Sequence, residues 1–134
     1  MGAVELRSLR PWLAVGSVVL AACGDATGPG REPEIINTTD NFQYQISDVR
    51  DFTGTQVYTW QNTGTTATVN QSAAVAAGSV TLVLRDAAGT EVHNRSLAEN
   101  GTFSSSAGTP GQWTVRVIYG DADATVNFRL DRAT

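Results

Sequence analysis

Thr125-Val-Asn-Phe-Arg-Leu-Asp131, or TVNFRLD, changes from polar to apolar and back at every residue. Side chains along an extended strand point to opposite faces in turn. Val126, Phe128 and Leu130 therefore share one face, and Thr125, Asn127, Arg129 and Asp131 share the other. One apolar and one wet face mark an antiparallel sheet, because a doubly covered parallel strand reads as an unbroken apolar run. The same period of two returns at Phe42, Tyr44 and Ile46 against Gln43, Gln45 and Ser47. It returns again at Trp113, Val115, Val117 and Tyr119 against Thr114, Arg116 and Ile118, where Ile118 is the mismatch. Val80, Leu82 and Leu84 form another face, with Val83 intruding on the opposite side.

Further strands are expected at 55–61, 65–71 and 90–97, with a short one at 101–105. Ala73–Gly78 stays open between a loop, a bulged edge and one helical turn. Asp86-Ala-Ala-Gly89 is expected to turn between the 79–85 and 90–97 strands, and Thr109-Pro-Gly111 to lead into Trp113. Gly120-Asp-Ala-Asp123 is expected to join the last two strands as a turn. Some seven or eight short strands at this spacing predict an all-β fold: a single antiparallel β-sandwich, jelly-roll or immunoglobulin-like. Its expected core is Phe42, Tyr44, Ile46, Trp60, Val69, Leu82, Leu84, Trp113, Val115, Val117, Phe128 and Leu130.

A chain of 134 residues with 41% apolar and 16% charged composition suits one folded domain. All nine basic residues are arginines, scattered from Arg7 to Arg132, and the net charge is −4. Nucleic-acid binding displaces counterions with clustered cations, and no such cluster exists here.

The segments Val80-Thr-Leu-Val-Leu-Arg-Asp-Ala-Ala-Gly89, Pro110-Gly-Gln-Trp-Thr-Val-Arg-Val117 and Ala124-Thr-Val-Asn-Phe-Arg-Leu130 resemble the bacterial pre-peptidase C-terminal domain. That resemblance implies a non-catalytic sandwich of the kind attached to secreted enzymes, implicated in substrate binding or maturation.

The N-terminal part reads differently. Arg7 and Arg10 precede a mainly apolar segment, Pro11–Ala22. As a helix it would span about 18 Å, too short for a hydrocarbon core of about 30 Å. A basic start, a short apolar middle and small residues at the end describe an export signal. Its last residues, Leu20-Ala21-Ala22-Cys23, contain the only cysteine of the chain. They resemble the lipobox of bacterial lipoproteins: an aliphatic residue, two small residues, then cysteine. The resemblance implies cleavage between Ala22 and Cys23, a diacylglyceryl group on the Cys23 thiol, and a fatty acyl group such as palmitate on the new amine. Two or three acyl chains hold a protein to a bilayer firmly, where one holds it marginally. With Gly24, not aspartate, after the cysteine, the resemblance implies the outer membrane in a Gram-negative cell. In a Gram-positive cell it implies the outer face of the single membrane. Gly24–Pro33, GDATGPGREP, has the composition of a flexible tether. The expected organisation is a lipoprotein signal peptide over 1–22, the lipidated cysteine and tether over 23–33, and the sandwich over 34–134.

Chemistry is sparse. His93 is the only histidine and is expected on a strand surface or edge, and Ser104-Ser-Ser-Ala-Gly108 lacks the G-x-S-x-G elbow. Asp121 and Asp123 form a D-x-D pair, which offers oxygen ligands but too few for a calcium site alone. No metal and no cofactor are expected. Tyr58, Trp60 and Tyr119 are candidate stacking platforms for a glycan, although an aromatic on an apolar strand face ordinarily belongs to the core. The expected function is a small non-enzymatic cell-envelope lipoprotein. It would display a binding or structural domain, with the membrane, and a glycan or another envelope protein, as partners. The competing expectation is a hydrolase with an unrecognised site. A cleft joining His93 to a serine and an aspartate would favour that enzyme, and a bare sheet edge would favour a protein partner added as a strand.

Overall fold

A computed structural model describes residues 32–133. Cys23, Ala22, the signal segment and most of the tether lie outside the described residues. Those described form strands β1 (Glu34–Thr38), β2 (Asn41–Asn62), β3 (Thr66–Gln71), β4 (Ala74–Arg85), β5 (Glu91–Ser96), β6 (Gly101–Ser104) and β7 (Gly111–Ala133). All pairings are antiparallel and belong to one hydrogen-bonded sheet, ordered β1-β2-β7-β3-β6, with β4 joined to β7 and β5 to β4.

The sheet is folded onto itself. Phe42 and Tyr58 lie on one strand, yet their ring centroids are 5.7 Å apart. Sixteen residues of straight strand would separate them by about 53 Å, so β2 turns back over its own first half. The long partner β7 bends with it. One layer holds β1, the first half of β2, the second half of β7, β3 and β6. The other holds the second half of β2, the first half of β7, β4 and β5. The result is an all-β, sandwich-like domain, as its alternation predicts. Every residue of the expected core is buried, joined by Val49, Val80, Leu97, Tyr119 and Val126.

The bend corrects one expectation. Gly120–Asp123 is not a turn between two strands; it lies inside the continuous strand β7. Along β7 the buried residues are odd-numbered from Trp113 to Tyr119 and even-numbered from Ala122 to Leu130. An extra residue near Asp121 shifts the parity, and β2 has register shifts opposite it at 46–49, 49–52 and 52–54. Asp48, Asp51 and Asp121 have left-handed φ of 56°, 47° and 45°. Aspartate tolerates that region better than most side chains, so these residues supply the bulges. They are fastened across the corner. The Asp51 amide donates to Asp123 Oδ1 at 2.8 Å, the Asp121 amide to Thr53 Oγ1 at 2.8 Å, and the Asp48 amide to Thr125 Oγ1 at 3.4 Å.

Strand β4 crosses the same corner. Gly78 sits there at φ 71°, and a Cβ on it would run into the carbonyls of Gly120 and Asp121. Ala73–Gly78, left open by the sequence, is thus the bulged beginning of β4. The Asp86–Gly89 turn forms where expected, with Asp86 Oδ1 accepting the amides of Ala88 and Thr90 and Oδ2 that of Thr109. Those amides hold the Asp86 carboxyl below its ordinary range.

Candidate functional site

In an antiparallel strand, alternate residues turn both backbone groups to the same neighbour. On the second half of β2, the carbonyl of Thr59 accepts from Asn37 Nδ2 at 2.8 Å and that of Gln61 from the Asp40 amide at 2.8 Å. Odd-numbered residues therefore face away from β7. β1 covers only Asn41–Gln45 of β2, so beyond the corner the outer side of β2 has no strand beside it among the described residues. Thr55 and Val57 lie on that open edge, and both are exposed, Val57 by 56%.

The open window has defined ends. At one end the charged, bulged corner from Asp48 to Asp51 breaks the ladder. At the other, the β1–β2 turn clasps the strand through Asn37 and Asp40, with Thr63 donating from both its amide and its hydroxyl to the Asp40 carboxylate. Between them lies Thr55-Gln-Val-Tyr-Thr59. No charged residue stands anywhere between Asp51 and Arg85.

Of the aromatic candidates, Trp60 and Tyr119 are buried, and Tyr58 is half-buried. Trp60 meets Trp113 edge-on at 6.0 Å, and its Nε1 donates to the Thr38 carbonyl. Tyr58 packs on Phe42 and Tyr44. The Trp60 and Tyr119 rings are spent on the interior and offer no stacking platform, and Tyr58 is partly buried against the core. Their hydroxyls meet instead: Tyr44 Oη and Tyr58 Oη donate to Gln56 Oε1 at 2.9 and 3.0 Å, and Tyr119 Oη lies 2.6 Å from Tyr44 Oη. Burial pushes the Tyr119 hydroxyl up to about 12 and the Tyr44 hydroxyl higher still.

His93 lies on an edge strand, one of the two expected placements, but not on the surface. Strand β5 is an edge strand, but His93 sits opposite Leu84 on the inward face and is only 7% exposed, with Nε2 unpartnered. Burial and the nearby Arg95 lower its pKa. In the serine run, Ser105 Oγ is occupied with the Ala67 amide and the Ser106 carbonyl. Asp121 and Asp123 hold the corner, as described, and no group of three or more histidine, cysteine, aspartate or glutamate side chains among the described residues is arranged to hold a metal ion.

No protein-family model matches this chain, and no curated protein matches it either.

The sequence places a strand at 55–61 but does not show that one side of it is bare, because an edge is defined by pairing with distant segments. The available signals are the missing charges on Thr55–Thr59 and the near-symmetry of Thr-Gln-Val-Tyr-Thr about Val57. A solvent-exposed edge ordinarily carries a charge, a proline or a bulge.

Proposed function

We propose that this chain is a non-enzymatic cell-envelope lipoprotein that binds a protein partner by strand addition at the edge Thr55–Thr59. Cys23, freed by cleavage after Ala22, carries the lipid. Residues 24–33 tether the domain, and the sandwich-like domain presents its edge above the membrane surface. The outer membrane is its location in a two-membrane cell. The observation that supports binding is the bare, uncharged edge itself, with backbone groups of Thr55 and Val57 turned outward. Strand addition draws affinity from such main-chain groups and specificity from the alternating side chains. The lipobox reading of Leu20–Cys23 supports the location.

Two experiments test the two parts. Cell fractionation of Cys23→Ser should move the protein from the membrane to the soluble fraction; a variant that still pellets refutes lipid anchoring. Capture of envelope proteins by the full chain should fall when Val57→Lys puts a charge on the edge. Undiminished capture refutes the edge as the binding surface.

A further inference from the structure

We infer that the edge Thr55–Thr59 pairs with the same edge of a second copy, antiparallel about a two-fold axis through Val57. This deepens the binding reading above and rests on it. The segment is its own complement. With Val57 opposite Val57 of the second copy, Thr55 falls opposite Thr59 and Gln56 opposite Tyr58, and the same holds in reverse. Cross-strand Thr–Thr and β-branched pairs are among the favourable ones. Gln56 and Tyr58 are neutral side chains whose hydroxyl–amide bond within each copy leaves no charge to oppose their pairing between copies.

The hydrogen-bonding groups also match. Thr55, Val57 and Thr59 all turn their amides and carbonyls outward, and antiparallel pairing about Val57 sets each against an outward-facing residue. The Thr59 carbonyl already accepts from Asn37 Nδ2, and its second lone pair remains for the partner amide. Val57, a large apolar side chain 56% exposed, would gain a neighbour of its own kind.

Charge favours this edge over the outer strands β1 and β5. Each copy has a net charge of −4, so approach is opposed except where the surface is neutral. The outer strand β1 carries Glu34, β5 carries Glu91 and Arg95, and β6 has only four residues. Short and charged edges resist pairing; the middle of β2 has neither protection. So short a ladder gives a contact of the weak, reversible class. Anchoring of both copies in one membrane would raise their effective concentration.

Sedimentation equilibrium of the full chain in density-matched non-ionic detergent tests the inference, with Val57→Lys and Thr55→Lys as variants. The wild-type mass should rise toward twice the monomer as concentration increases. Each lysine variant should need about tenfold or more concentration for the same degree of association, with an unchanged circular dichroism spectrum. A wild-type chain that stays monomeric to about millimolar concentration overturns the inference. So do lysine variants that associate as readily as wild type. If the chain stays monomeric but Val57→Lys still abolishes capture of envelope proteins, self-pairing is refuted and strand addition to a different protein is retained.

Discussion

Tyr44 and Tyr119 place their hydroxyl oxygens 2.6 Å apart in the buried interior, one from each layer of the folded sheet. Tyr44 gives its proton to Gln56 Oε1, so Tyr119 donates to Tyr44. This link, together with the ring contacts of Tyr58, joins the two halves of β2 and β7 across the sandwich. Each member matters because a buried hydroxyl that loses its partner costs more than the bond contributed.

Tyr44→Phe and Tyr119→Phe should each lower stability by about 1–3 kcal/mol. The double variant should cost less than the sum, since neither hydroxyl is then orphaned. Urea unfolding of the four proteins measures this; strictly additive effects would show that the two groups are not coupled. Both hydroxyls are also held above the ordinary tyrosine value of 10.0. Stability from such groups is complete below that value and is lost as pH rises from it toward the folded-state values. Wild type should therefore lose more stability above pH 10 than the double phenylalanine variant does.

The corner supplies a second expectation. Gly78→Ala places a Cβ against the Gly120 and Asp121 carbonyls at positive φ and should destabilise by about 1–3 kcal/mol or more. Asp121→Val, which puts a branched side chain at φ 45° and removes the bond accepted from Thr53 Oγ1, should cost a similar amount. Asp121→Gly should cost less, because glycine keeps the backbone conformation available. Thermal unfolding midpoints rank these variants; equal losses for Asp121→Val and Asp121→Gly would contradict the backbone account.

Acid should weaken the domain in two windows. The lowered His93 pKa means the unfolded chain binds a proton before the folded one does, so stability falls as pH drops below the ordinary histidine value of 6.5. The lowered Asp86 pKa acts in the same direction below 3.8, where the turn that its carboxylate builds loses its acceptor. His93→Gln should flatten the stability profile in the upper window and leave the lower one. A profile unchanged by the substitution would place the upper transition elsewhere.

How far the sequence is legible depends on whether a feature is local. The alternation of Phe42, Tyr44 and Ile46, and of Val126, Phe128 and Leu130, names the inward face outright, because pleating imposes it residue by residue. The Asp86–Gly89 turn is local too. Gly120–Asp123 is ambiguous for a physical reason: a bulge and a turn both need residues that tolerate positive φ, so glycine and aspartate mark either. Strand β1 has no period of two in Glu34-Ile-Ile-Asn-Thr38 and is set by pairing with β2. The burial of Tyr119 continues the apolar face of Trp113, Val115 and Val117, whereas the burial of His93 and the bare edge at Val57 depend on how distant strands pair. Neither is written in the neighbouring residues.

The proposed strand addition requires the odd-numbered backbone groups of Thr55–Thr59 to be open to a partner strand. Amide hydrogen exchange of the full chain, read residue by residue at low and high protein concentration, measures this. At low concentration the Thr55 and Val57 amides should exchange quickly while those of Gln56 and Tyr58, bonded to β7, stay protected; at high concentration Thr55 and Val57 should become protected as well. Slow exchange at Thr55 and Val57 that does not depend on concentration, or no difference between odd and even positions, would show that the edge is not open to a partner.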